Sequence, residues 1–440
     1  MVSRCLLILL DGLGDRSCPV LANRTPLQAA RTPNLDRLAR LGANGLFHAA
    51  RPGIVLPSEN AHFHMFGYKA QEFPGRGLFE ALGAGIPATH DDVFVLAHMV
   101  TLKQQKGHLK VMFEHPKAPE EECTALARAI QSLTWNNIDF RFTQTHGPDG
   151  IVRLKGRGSP RITDSDPMAE GQPLLEVRPV ISDEQDENAV ETAEALNGYL
   201  RWCYERLEGH PINIKRAQQG APPLNGLVTQ RAGAWRLVEP FTQRWGLKAM
   251  TIASGLIYWG LGEFLGFDVH KVSDTQDPGS DLAERLRMAH ARQGDYQFMH
   301  VHTKAPDAAA HTKDPYLKLK TLESLDEGIG RVIDRFLDDK ETIIIVTSDH
   351  STPSIGPLIH SGEPVPMTVV GPGVWQDQVQ YFDEIHCAGG ALGQITGGDF
   401  MPMVLNYLDR AKLRGIMDTP IDQPYWPGCR RPLVLDIEND

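Results

Sequence analysis

Three short apolar runs each lead into residues able to bind a cation. Asp11 follows Leu6–Leu10 directly, Asp349 and His350 follow Ile343–Val346 after two residues, and Asp307 and His311 follow Phe298–His302 in the run KAPDAAAH. His360 comes soon after, in IHSGEP. Open parallel sheets bind ligands beyond the carboxyl ends of their strands, so three such placements point to one site. Asp307 and His311 are four residues apart. If Pro306 starts a helical turn they project from one face, and the small alanines between them leave room for an ion. The adjacent pair Asp349 and His350 offers diverging ligands, which suits the neighbourhood of two ions better than chelation of one. Singly, each residue has a plain structural use, because an aspartate after a strand is commonly a turn or cap residue and a lone histidine is more often hydrogen-bonded. Together they favour a two-metal centre.

A nucleophile is still needed, and LPSENAHFHMFGY offers Ser58 at the start of a short helix that Gly67 would close. A helix N-terminus carries partial positive charge and suits a phosphate, and a nearby divalent ion would lower the pKa of the hydroxyl. The plain alternative is a serine N-cap with Pro57 as the turn. Of the neighbouring histidines, His62 is a candidate to support the centre from behind, and His64, His300 and His302 read as structural.

The elements that must position these residues alternate. Strand-like Leu6–Leu10, Phe298–Val301 and Ile343–Val346 are interleaved with helical patterns at Thr32–Leu41 and Pro315–Phe336, which is α/β with a mostly parallel sheet flanked by helices. The first of those helices is well punctuated, with Thr32 to cap it, Pro33 at its first position and Gly42 to end it. From about Asp91 to Arg178 the rhythm changes to hairpins, Val93–Leu102 with His108–Phe113 and Ile138–Thr145 with Ile151–Leu154, plus a helix near Glu120–Leu133. This reads as a smaller inserted α+β cap domain over 91–178, with 1–90 and 179–440 forming the metal-binding domain. The stretch Gly156–Val177 and the acidic segment Ser182–Asn188 read as a linker back to the main domain.

A length of 440 residues with 41% hydrophobic content supports two cores. The opening apolar run is only strand length, so it reads as neither a membrane span nor a signal peptide. Six cysteines without a CxxC pair favour free thiols and a cytoplasmic setting. A formal charge of -11 argues against a nucleic-acid partner and means that a phosphate site needs a local positive field, which bound metals would provide.

Asp11, Ser58, Asp307, His311, Asp349, His350 and His360 stand in the order found in the cofactor-independent phosphoglycerate mutases of the archaeal type, in the alkaline-phosphatase superfamily. The chain resembles that family through LLDGLGDR and TPLQAARTPNLDRLARLGANG near the start, GRGLFEALGAGI, KAPDAAAH, VTSDHSTP, HSGEPVP and FDEIHCAGGALGQITGGDFMP. The resemblance implies two divalent ions, commonly Mn2+ with Zn2+, Co2+ or Mg2+ as alternatives. Asp11, Ser58, Asp349 and His350 would hold one, and Asp307, His311 and His360 the other. It further implies a glycolytic isomerase in which Ser58 carries the phosphoryl group of 3-phosphoglycerate as phosphoserine and returns it to the neighbouring hydroxyl. Arg76, Lys304 and Arg231 lie in matched segments and, with His62, are candidate substrate contacts.

Two departures stand out. The nucleophile segment reads PSENAHFHMFGY where the family typically has a Gly-Ser-Asp-Thr type sequence, a change that keeps the serine and the later histidine. The family's arginine-rich cap loop is missing as well. No arginine occurs between Arg76 and Arg128, and Lys103, Lys106 and Lys110 stand in a hairpin instead. Lysine does not reproduce bidentate guanidinium recognition. The whole-length resemblance makes phosphoglycerate isomerisation the expected activity. The alternatives are a phosphohydrolase or phosphonate-processing enzyme on the same core, and a non-catalytic binding protein that keeps the fold.

Overall fold

A computed structural model describes residues 2–156, 158–180 and 186–411. Cys429 and residues 182–185 of the acidic segment lie outside the described residues. The chain divides into two compact units, one made of 1–71, 238–255 and 265 onward, the other of 72–237 and 256–264.

The first unit is built on an eight-stranded sheet in the order Asp268–Lys271, Ala249–Ala253, Phe298–Thr303, Arg4–Leu10, Thr342–Thr347, Val365–Val370, Ala43–His48, Gly393–Thr396. Val365–Val370 is antiparallel to both of its neighbours, and every other pairing is parallel. Arg4–Leu10 reads RCLLILL and is fully buried from Cys5 on, as a strand covered on both faces must be. Alternation sends Leu6, Ile8 and Leu10 into one core with Leu35 and Leu38, Leu282 and Leu286, and Leu322 and Leu325, residues of the helices Pro33–Leu41, Pro278–Arg292 and Pro315–Gly330. The mostly parallel α/β architecture expected from the sequence is the one observed.

Register sets the functional end of this sheet. Leu10 lies opposite Thr303, and Leu9 opposite Thr347. The residues that follow, Asp11, Asp307 and Asp349, therefore emerge at one edge. Beyond it, Lys318 from the helix Pro315–Gly330 is fully buried and donates to Gly14 O at 2.8 Å, Thr352 O at 2.8 Å and Asp15 Oδ2 at 3.1 Å. One ammonium thus clamps the loops that follow two neighbouring strands. Asp15 also accepts from Ser354 N at 3.0 Å, and its own N–H donates to Glu384 Oε1 at 3.1 Å. Enclosure pushes the Glu384 carboxyl up to about 7.

The second unit is larger than the expected 91–178 segment. Its antiparallel sheet runs His108–Phe113, Asp92–Gln105, Asp149–Lys155, Ile138–His146, Ser132–Trp135, and Gly226–Ala234 pairs with Asp92–Gln105. That last pairing and the helix Glu187–Glu208, which adds Leu196, Tyr199 and Leu200 to the same core, carry the unit well past residue 178. The segment read as a returning linker is instead bound into this unit, with Ser165 N–H donating to Thr229 O at 2.9 Å. The helix expected to reach Leu133 stops at Ala129. Asn136 and Asn137 take left-handed conformations (φ 48° and 62°) and turn Ser132–Trp135 into a hairpin with Ile138–His146. Likewise the helix expected over Pro315–Phe336 ends at Gly330, and a short helix, Asp334–Leu337, follows.

Because Lys318 neutralises Asp15 inside the protein, removing it strands a buried carboxylate and two carbonyls. Lys318→Met is expected to lower unfolding free energy by about 3–5 kcal/mol in urea titrations. A loss below about 1 kcal/mol would show that the clamp is dispensable.

Candidate metal centre

Asp11, Asp307 and Asp349 are each at most 1% exposed, and all three meet imidazoles. The backbone brings them together. Asp11 N–H donates to Thr303 O at 3.0 Å, and Asp307 N–H donates to Asp11 O at 3.0 Å, which ties the first turn of the helix Ala305–His311 to the end of Arg4–Leu10. The approach is close enough to require glycine at position 12. Its φ is +68°, and a Cβ there would lie 2.7 Å from Asp307 Cβ and 2.7 Å from Thr352 Oγ1.

Two groups of side chains place their donor atoms within 4.8 Å of one another, namely Asp11, Asp349 and His350, and Asp307, His350 and His360. His350 thus belongs to both. Its Nε2 lies 2.9 Å from Ser58 Oγ, 3.4 Å from Asp11 Oδ1 and 3.2 Å from Asp349 Oδ2, and its ring stacks on His360 at 3.8 Å. His360 directs Nε2 to Asp307 Oδ1 at 3.5 Å while its Nδ1–H donates to Leu56 O at 3.0 Å, so Nε2 is left with the lone pair a metal needs. His311 Nε2 lies 3.2 Å from Asp307 Oδ2, from a ring 37% exposed. The four-residue spacing on one helical face does bring this pair together.

Ser58 is 4% exposed and is the first residue of the helix Ser58–Met65, with Pro57 rather than the serine at the N-cap. No side chain caps that terminus. Its partial positive charge is therefore directed at the space beside Ser58 Oγ.

These residues fit divalent cations. Asp349 Oδ2 and Asp307 Oδ2 are buried without a hydrogen-bond partner among the described residues. Burial works against ionisation of Asp349, but His350, His62 and His302 hold its carboxyl well below the usual range. His311, His360 and Lys304 do the same for Asp307. Carboxylates kept ionised in a closed space call for positive charge, and mixed oxygen and imidazole donors suit Mn2+, Zn2+ or Co2+.

Behind the carboxylates stand two further imidazoles. His302, read from the sequence as structural, is fully buried with Nε2 at 3.1 Å from Asp11 Oδ2. A carboxylate only accepts, so this nitrogen carries the proton and orients Asp11. The signal for it was its place one residue before the end of Phe298–Thr303. His62, a candidate substrate contact, is instead fully buried, with Nδ1 at 2.8 Å from Ser58 O and 3.3 Å from Asp349 Oδ2. Such burial keeps it from touching a substrate, and its place one helical turn after Ser58 makes it a support for that carboxylate. Burial, then Asp349 and Asp11, govern its basicity, and the carboxylates prevail and raise it. His300 bonds Thr251 Oγ1 at 2.9 Å deeper in the core. Burial first, then His62 and His302, push it far down, so it stays neutral.

Of the other sequence candidates, Lys304 reaches the centre and the two arginines belong to the second unit. Lys304 Nζ is 3.5 Å from Asp307 Oδ2 on a side chain 42% exposed. Arg76 and Arg231 belong to the second unit and line one cavity of it. Arg76 Nε donates to Glu80 Oε1 at 2.7 Å. Arg231 is left-handed (φ 56°) where the pairing with Asp92–Gln105 shifts register.

If His302 positions Asp11, then His302→Ala should weaken Mn2+ binding by about 10–100-fold in calorimetry. His302→Gln, which can still donate, should recover part of it. Unchanged affinity in both variants would assign His302 to packing alone.

The metalloenzyme superfamily model matches residues 3–407. The 2,3-bisphosphoglycerate-independent phosphoglycerate mutase 2 of Methanocaldococcus jannaschii is 39% identical over 421 residues, covering 94% of this chain and 95% of the relative. A solved Pyrococcus horikoshii structure is similar with TM-score 0.78 and 30% identity, covering 94% of this chain and all (100%) of that one. The cofactor-independent phosphoglycerate mutase of Thermoplasma acidophilum is similar with TM-score 0.64 and 29% identity, covering 92% and 100% of the two chains. Matched over nearly its whole length, the chain belongs to the metalloenzyme superfamily and, within it, to the family of 2,3-bisphosphoglycerate-independent phosphoglycerate mutases.

Proposed function

We propose that this chain interconverts 3-phosphoglycerate and 2-phosphoglycerate by moving the phosphoryl group through Ser58, as a cytoplasmic glycolytic isomerase dependent on two divalent ions, Mn2+ foremost. The observation that carries the reading is a buried serine hydroxyl at an uncapped helix start, 2.9 Å from an imidazole shared by two cation-binding groups. Relatives named as phosphoglycerate mutases support the choice of substrate.

In this reading Asp11, Asp349, His350 and Ser58 would hold one ion, and Asp307, His360 and His311 the other. When bound, the ions would offset the charge of the phosphoryl group and lower the pKa of the Ser58 hydroxyl. Ser58 Oγ forms a bond to phosphorus as the bond from phosphorus to the C3 oxygen breaks. Ser58 loses its proton and the departing C3 hydroxyl gains one. The second transfer runs the same changes in reverse onto the C2 hydroxyl. The helix start beside Ser58 favours negative charge on the group in transit. Lys304, Arg76 and Arg231 are the proposed substrate contacts.

No helix among the described residues is long and apolar enough to cross a membrane, and the described cysteines are all free and buried, which suits a reducing compartment. The absent arginine run before Arg128 favours a second reading, the same phosphoryl chemistry on another small phosphate ester.

With Mn2+ and 3-phosphoglycerate, an enolase-coupled assay should register isomerisation, and Ser58→Ala should lower it by at least about a thousandfold. Mass spectrometry of acid-quenched enzyme should find phosphate on Ser58. Release of free phosphate without isomerisation would replace the mutase with a hydrolase, and full activity in Ser58→Ala would remove the phosphoserine route.

A further inference from the structure

Asp307 and His350 arrive from different loops of the first unit, yet a single hydroxyl joins them. Thr352, two residues after His350, is fully buried, with Oγ1 2.8 Å from Asp307 Oδ1 and 3.1 Å from His350 Nδ1. Its backbone is fixed at both ends of the residue. The Thr352 N–H donates to Gly14 O at 2.9 Å, and the Thr352 carbonyl accepts from Lys318 Nζ at 2.8 Å. Branching at Cβ restricts the rotamers open to the side chain. The backbone of Gly12 walls it on one side, since a Cβ there would lie 2.7 Å from Oγ1. The oxygen is therefore held between the carboxylate and the imidazole.

The direction of these two bonds follows from counting protons. A threonine hydroxyl has one proton to give, and an ionised carboxylate can only accept. Thr352 thus donates to Asp307, and a lone pair of the same oxygen accepts from His350 Nδ1–H. With its proton fixed on Nδ1, the neutral ring carries its lone pair on Nε2. That is the atom facing Ser58 Oγ, Asp11 Oδ1 and Asp349 Oδ2.

We propose that Thr352 is a positioning residue for the two-cation centre. Its hydroxyl holds His350 in the tautomer that offers Nε2 to a cation, and holds Asp307 in register with that ring. The inference rests on the phosphoryl-transfer reading above and adds to it a residue that acts through two of the proposed ligands. His350 belongs to both groups of donor atoms and Asp307 to one of them, so loss of the hydroxyl weakens the hold on both ions.

Two measurements on the full-length protein test this. The first uses long-range 1H–15N spectra of protein labelled at histidine and loaded with Zn2+, with the His350 ring identified by its loss in His350→Gln. Its proton is expected on Nδ1 and the ion on Nε2. A proton on Nε2, or an ion on Nδ1, overturns the proposal, and this readout requires no change at Thr352. The second is calorimetric titration with Mn2+. Thr352→Val, which keeps the shape and loses the hydroxyl, should bind both ions about 10–100-fold more weakly. Thr352→Ser, which keeps the hydroxyl, should recover most of that affinity. Unchanged affinity in Thr352→Val, or an equal loss in Thr352→Ser, overturns the role of the hydroxyl and leaves the phosphoryl-transfer reading standing. If the unmodified protein takes up neither Mn2+ nor Zn2+, both fall together.

Discussion

Three carboxylates, Asp11, Asp307 and Asp349, are packed together out of water at the ends of adjacent parallel strands. Like charges so placed repel, and the surrounding imidazoles offset them only in part. Much of the first unit can be understood as the framework that holds this arrangement. Parallel register delivers the three strand ends to one edge, Gly12 lets two of them approach, and Lys318 fixes the loops that follow. A framework stable enough to bury that charge leaves a strong driving force for cations, and any chemistry at Ser58 draws on the same force.

The supporting residues divide the work by tautomer. His360 donates through Nδ1 to a carbonyl and keeps Nε2 available, whereas His302 donates its Nε2 proton to Asp11. His62 turns its Nδ1 proton toward the Ser58 carbonyl and Asp349. In the proposed centre the same residue type would serve in one place to bind a cation and in another to aim a carboxylate, and the hydrogen bond made by each ring decides which.

Much of the centre was legible in the sequence because its residues follow apolar runs directly: a strand that is buried on both faces and then meets Asp11 announces where the sheet ends. The pairing of Asp307 with His311 was legible for a similar reason, a four-residue spacing after Pro306. His302 was not. A histidine near the end of a buried strand resembles any hydrogen-bonded core residue, and only the lateral register with Arg4–Leu10 brings it against Asp11. The sharing of His350 by both groups was equally hidden, because it depends on Asp307 and His360 arriving from other loops. The extent of the second unit escaped for want of a local signal. Gly226–Ala234 joins Asp92–Gln105 across more than a hundred residues, and nothing in either strand names its partner. Where the punctuation was local, as at Pro33 and Gly42, the helix Pro33–Leu41 fell where the sequence placed it.

In the proposed reading the buried carboxylates form one centre for two cations about His350. Diffraction from crystals grown with Mn2+, recorded above the manganese absorption edge, tests it directly. Two anomalous peaks are expected in each chain, one against Asp11 and Asp349 and one against Asp307 and His360. A single peak, or none at these carboxylates, would contradict it.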